Sequence, residues 1–582
     1  MEDKTLIAKN DVKWNNKLQN DGALYFFQRI VEMLSFNTRD LYLCPIMNTH
    51  RLIKEYIVVS KGNFKANHLD EIYDEFLLSF KSDVAIRHGL GETKINEIAQ
   101  KLNSKKNNRN QLMDYLLQTI GSNYLSWIKN YILEIVPEGK QKSKIEKAIR
   151  CFLPELLLCG YSSHEIYYRA KSIINSRTYT TSILKSFLNR FDRKEKQFTA
   201  YLAIKKDLAN FKDILSDRVG VIFNDDGNFH RFEPWDDYTV VKLQDIDALD
   251  AGGAADMAYK QLSFFASFYQ FVGDYSSNLI QSTALIWDNK SEFRIENINS
   301  KRFKIIHDED QTASGRISES IITSLVSHAR CSLATITKLL KLHNNAISNN
   351  GQENGFLNLW SILEVICIRD NTSKLMQVKE TLIPFLQYDY LVNIFTDITE
   401  NLKLVLSEQD FATLCAKVDK ETEEETIKIA CLILLDEYSN ESEALIEKLA
   451  NYPVLRFRIM DLHNNYKTKK ELFNLSNRYA KRVNWHISRI YRARNSIAHD
   501  GTPPVILNEL GVHLHAYVDS LMTEILIKLS TSSYCHISNV LIDSNFKHDN
   551  IQNSLQTNDK FDFESINLML NEGEYYCPIS ID

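Results

Sequence analysis

The stretch "NWHISRIYRARNSIAHDGTPP", residues 484–504, joins a helical pattern to an abrupt stop. Ile487, Ile490, Tyr491 and Ile497 recur at near-helical spacing, which predicts a helix. Gly501, Pro503 and Pro504 then end it. Just before the stop stand Arg494, Asn495 and His499. Asn495 and His499 are four apart and share a helix face. Arg494 and His499 are five apart, about 140° around an ideal helix. Their convergence on one phosphate therefore requires the helix to loosen near His499, or a second chain.

These residue types suit attack of a ribose 2′-hydroxyl on the neighbouring phosphodiester. An imidazole takes or gives a proton near neutral pH. The C-terminal end of a helix favours imidazolium, which suits protonation of a leaving oxygen. A guanidinium holds the charge that develops on phosphorus. Asn495 can orient His499 or bond the RNA. No metal is needed for any of these steps.

The surrounding charge points the same way. Residues 467–500 carry nine cations and two acids, a net +7, in a chain whose total is −6. A solvated helix face is one reading; a phosphate-facing surface is the other, with Lys481, Arg482, Arg489 and Arg492 as RNA-binding candidates. Arg-to-His spacing alone is weak, because Arg302–His307 and Arg458–His463 match it as well. Neither has a polar residue after the arginine or a helix stop after the histidine.

"RNSIAHDG" resembles the signature of the HEPN superfamily: Arg, a polar residue, three variable residues and His. Two further features resemble its ApeA-like branch. "FLNLWSILEVI" is similar to the upstream helix, with Trp360 and Glu364 at i, i+4. "HAYVDSLMTEILIKL" is similar to the closing helix. The resemblance spans about residues 315–530. It implies a helical bundle that dimerises, bringing two Arg/His motifs together, and a metal-independent endoribonuclease with no cofactor. It also implies a part in bacterial anti-phage defence, acting on host or phage RNA, tRNA included, under a phage-derived trigger. Carried over, Arg494 binds phosphate, Asn495 positions it, His499 is the acid/base and Glu364 pairs with Arg494. Trp360 reads as core rather than as a stacking platform for RNA. About 130 residues separate Glu364 from Arg494, more than a minimal bundle needs, so "NIFTDITENLKLVLSEQDFATLC" reads as partly inserted helices. A non-catalytic HEPN-like module that binds RNA or protein is the rival reading; a scaffold in which 494–499 is incidental is the third.

The rest of the chain sets the frame. At 582 residues it exceeds one ordinary core. Scarce Gly and Pro favour helix, and the expected fold is mainly α. Residues 1–195 read as mostly helical with some extended pieces. Residues 196–310 read as an α+β module, with short strands in "QFTAYLAI", "RVGVIF", "YTVVKL", "TALIWD" and "EFRIENI", a hairpin turn at 224–227 and a helix from "AGGAAD" onward. Residues 311–535 form the HEPN-like helical domain. Its last helix carries the stripe Leu507, Leu510, Leu514, Tyr517, Leu521 and Ile525. Residues 536–582 read as a polar, loosely ordered tail.

The nine cysteines contain no C-x-x-C pair, so neither a structural zinc site nor a disulfide framework is expected. His513 and His515 face different sides of the last helix and read as satisfied or exposed residues rather than ligands. No signal peptide or apolar stretch of spanning length is visible, so a cytoplasmic protein without membrane contact is expected. There is no P-loop, no G-x-G-x-x-G before a helix and no H-E-x-x-H.

Overall fold

The computed structural model describes residues 21–571 apart from 36–37, 63–65, 105–108, 140, 207, 209–220, 224–236, 274–278, 289, 296–324, 326–331, 349–350, 532–533 and 535. The expected turn at 224–227 and the Arg302–His307 pair lie outside these residues. The fold is mainly α, with one five-stranded antiparallel sheet.

The N-terminal region is helical, with no strand among its described residues up to Asn189. It includes α1 (Asp21–Leu34), α2 (Thr49–Lys61) and α3 (Ala66–Ser82). The mixed pattern of residues 41–60 resolves as a short 3₁₀ turn and then α2. Helix wins there because Leu52, Ile53, Tyr56 and Val59 fall on one buried face. Asn48 caps α2, its side-chain oxygen accepting from the Arg51 N–H at 2.8 Å. The helix Lys142–Cys159 ends at Gly160, whose φ of 97° suits glycine.

All five expected strand runs form strands: β1 (Lys196–Lys205), β2 (Val221–Phe223), β3 (Tyr238–Ala248), β4 (Ile280–Trp287) and β5 (Glu292–Ile295). Their spatial order is β2-β3-β1-β4-β5. The helix Ala251–Gly273 covers one face. Ala251, Ala254, Ala255 and Ala258 let it lie close to the sheet.

The C-terminal half contains two cores. The first is shared by α4 (Leu333–Ser348), α5 (Gln352–Cys367), the start of α6 (Lys374–Val405), α7 (Lys469–Asn495) and α8 (Leu507–Thr531). Every residue of the expected stripe on α8, Leu507 to Ile525, is buried in it. Burial of each such side chain is worth about 1.5–3 kcal/mol, which outweighs the few tenths at stake in helix propensity. The second core gathers the far end of α6, the helices of 408–465, the start of α7 and the last two helices. The 32-residue α6 thus spans both. The segment 393–415, read as partly inserted helices, forms the far end of α6 and the helix Glu408–Cys415. The tail is corrected here: Ile537–Leu555 and Phe563–Asn571 are helices. Ile551, Leu555, Ile566 and Met569 are buried in the second core, so a polar composition hid a narrow apolar seam.

Candidate active site

Helix α7 starts with a capping box in which Thr468 and Glu471 each satisfy a backbone N–H of the other. At its far end the helix changes character. Residues Ser496–Asp500 form a π-turn, and Gly501 leaves it at φ 62° with its N–H shared between the Ser496 and Ile497 carbonyls. The Ser496 hydroxyl donates to the Thr502 carbonyl at 2.7 Å and closes the turn. An i→i+5 turn rotates less per residue than an α-helix. It swings His499 toward the face of Arg494, where a straight helix would hold the two about 140° apart. The loosening expected from Gly501 and the prolines takes this form.

Arg494 is partly exposed and held on two sides. One guanidinium nitrogen donates to Asn495 Oδ1 at 3.1 Å, and another lies 3.5 Å from Glu364 Oε1. Glu364 is the hub of the cluster. Its Oε1 accepts the Trp360 indole N–H at 2.9 Å, and its Oε2 lies 3.6 Å from Lys374 Nζ. Trp360 is buried and packs its ring against Tyr491 at 5.6 Å, so it is core, as expected. The i, i+4 spacing on α5 lets Trp360 orient Glu364, and Glu364 in turn holds Arg494. His499 is exposed at the helix end. A guanidinium on a carboxylate tether and a solvent-facing imidazole thus share the end of α7. This arrangement can take an RNA phosphate, with proton transfer at its edge.

The four RNA-binding candidates divide. Lys481 is exposed, and Arg482 is partly exposed, its guanidinium over the Tyr479 ring at 4.9 Å. Arg489 and Arg492 do not face solvent. Arg489 is 2% exposed; its Nε donates to Glu55 at 2.9 Å and its terminal nitrogen pairs with Glu75. Arg492 reaches Glu55 at 2.6 Å. Burial alone would raise the carboxyl of Glu55, but Arg489 and Arg492 win and hold it below its ordinary value. Burial pushes Glu75 up, with Arg489 pulling the other way. These two arginines bind α2 and α3, not phosphate. The reason lies about 420 residues away in the chain, where no local pattern could reveal it.

The Arg458–His463 decoy is also spent. Arg458 pairs with Glu32 at 2.6 Å, and His463 is buried against the Ile433 carbonyl at 3.0 Å. His513 and His515 do leave α8 on different sides, but neither is exposed. His513 meets the Cys44 carbonyl at 3.1 Å and the ring of His486. His515 meets His343 and Asp519. The sequence reading missed this last trio. Its only local signal was the i, i+4 spacing of His515 and Asp519.

No helix of the described residues is long and apolar enough to cross a membrane. No family model, curated protein or solved structure matches the chain.

Proposed function

We propose that the chain is a metal-independent endoribonuclease acting at Arg494, Asn495 and His499. What supports this reading is the end of α7, where Glu364-held Arg494 and its bond to Asn495 are followed by a π-turn that carries the exposed His499. In the reaction the 2′-oxygen bonds to phosphorus and the P–O5′ bond breaks. The 2′-hydroxyl proton leaves to a base, and the departing 5′-oxygen gains one from an acid. The products are a 2′,3′-cyclic phosphate and a 5′-hydroxyl. His499 serves one of the two proton transfers, Arg494 neutralises the phosphorane, and Asn495 orients Arg494. A second copy of the chain supplies the other imidazole, so the active species is a homodimer. Lys481 and Arg482 extend the phosphate path along α7. The buried pairing of α2 and α3 with α7 makes the N-terminal region the element through which a trigger, phage-derived in an anti-phage role, reaches the motif.

The test uses purified protein, labelled total RNA and excess EDTA, beside His499→Ala. Cleavage by the wild type alone, leaving cyclic phosphate ends, supports the reading. RNA binding by both proteins with no cleavage, even after cells carrying the protein have met phage, would replace it with a non-catalytic RNA-binding module. The burial of Arg489 and Arg492, which shrinks the basic surface, favours that second reading.

A further inference from the structure

Far from the motif, α4 and α8 bring three ligating groups together. His343 comes from α4; His515 and Asp519, at i, i+4, come from one face of α8. The two imidazole Nε2 atoms are 3.1 Å apart. His343 Nε2 lies 2.8 Å from Asp519 Oδ1, and His515 Nε2 lies 3.3 Å from Asp519 Oδ2. The rings stack with centroids 5.2 Å apart.

The separations are those of a coordination sphere. An ion at about 2.0–2.1 Å from nitrogen and oxygen ligands in tetrahedral geometry spaces them about 3.3 Å apart. The two nitrogens are 3.1 Å apart, and the carboxylate places one oxygen 2.8 Å from His343 and the other 3.3 Å from His515, so one ligand atom from each residue can border a common ion. Without an ion, one Nε2–H can donate to the other Nε2 at 3.1 Å only if the two rings take opposite tautomers; with an ion both present lone pairs. A cation shared with the carboxylate removes that requirement.

His515 is 3% exposed, so the core around it fixes the ring in place. Its Nδ1 has no protein partner. His515 also borders a cavity of about 80 Å³ with Cys44, Val512 and His513. His343 and Asp519 are about a quarter exposed, which leaves an open side for entry and for a fourth, solvent ligand.

We propose that His343, His515 and Asp519 bind one divalent first-row transition ion, zinc being the first candidate. Nitrogen donors exclude magnesium and calcium as its natural occupants. The ion pins α4 to α8 within the first core. It lies apart from the motif: His486 meets Tyr517 at 2.8 Å, which sets this part of α8 level with residue 486. Thirteen residues of helix, about 20 Å, separate that level from His499. The site is independent of the proposed ribonuclease activity.

The experiment titrates the chelator-stripped full-length protein with zinc and, separately, with cobalt(II). Binding is read by calorimetry, melting temperature and visible absorption. The expected result is one ion per chain, a raised Tm, and a cobalt spectrum free of thiolate charge-transfer bands. His343→Ala, at the partly exposed corner, should weaken zinc binding at least about 100-fold, with unchanged circular dichroism. Asp519→Asn should also weaken it, and His499→Ala should bind like the wild type. Binding that survives both His343→Ala and Asp519→Asn, a thiolate spectrum, or no binding by the folded wild type overturns the proposal.

Discussion

Arginines of one helix, less than a turn and a half apart, have opposite surroundings. Arg489 and Arg492 are buried against Glu55 and Glu75, while Arg494 is partly exposed near the helix end. The first pair joins the two halves of the chain, and further bridges reinforce the joint: Lys379 to Glu71 at 2.8 Å and Arg51 to Glu509 at 3.2 Å. A buried arginine is worth little net stability over an apolar substitute, but it is costly to lose alone, because its carboxylates remain. A surface arginine contributes almost nothing to stability and is available for chemistry. The contrast separates buried arginines that join the fold from the helix end proposed as the active site.

The largest expected effect tests the functional end. His499→Ala should lower RNA cleavage by about 10²–10⁴-fold and leave the melting temperature unchanged. An equal fall in both would show that the exposed turn is structural after all.

Next comes the structural end. Arg489→Ala should cost about 3–5 kcal/mol, whereas Arg494→Ala should stay within about 1 kcal/mol. Urea denaturation of both variants gives the comparison directly. Similar costs would erase the distinction drawn between them.

Acid should expose the same asymmetry, because the histidines that pack into the fold resist protonation and so favour unfolding as the pH falls. Burial pushes His513 and His515 down to about 4, and burial with His513 beside it pushes His486 well below its ordinary value. An unfolded histidine titrates near 6.5, so between about 6.5 and about 4 the unfolded chain binds protons that the native state refuses. Stability present at neutral pH is therefore lost as the pH falls through that window, at about 1.4 kcal/mol per unit for each histidine. Glu75, raised by burial, works in the opposite sense, favouring the fold when protonated. Denaturation of chelator-treated protein at pH 7, 6 and 5 should show the slope, and His513→Asn should reduce it. A flat profile would contradict the burial of these rings.

The smallest effect concerns the tether. Glu364→Gln keeps an acceptor for the Trp360 indole but removes the charge facing Arg494. Cleavage should change only a few-fold, chiefly through substrate affinity, with stability within about 1 kcal/mol. Loss of folding in this variant would make Glu364 a core residue rather than a positioning one.

Much of this was legible from local pattern. Period-two runs marked the five strands, and the stripe on α8 marked its buried face, because each depends on neighbours two to four residues away. The stop at Gly501 and the prolines implied a loosened helix end, and Trp360 read correctly as core. What stayed hidden depended on distant partners. Arg489 and Arg492 looked like Arg494 until Glu55 and Glu75 were placed beside them. His343 and His515 are 172 residues apart and became a pair only when α4 crossed α8. The final helices looked like a polar tail because their thin apolar seam is stabilised only by the second core.

The sequence by itself determined the mainly helical character, the strand module, the candidate motif and the break that shapes it, since backbone propensity and periodicity are local properties. Only the tertiary structure decided which cations are buried and which histidines meet. Charge and ligation are settled by distances of a few ångströms in space, and neighbours at that range come from anywhere in the chain.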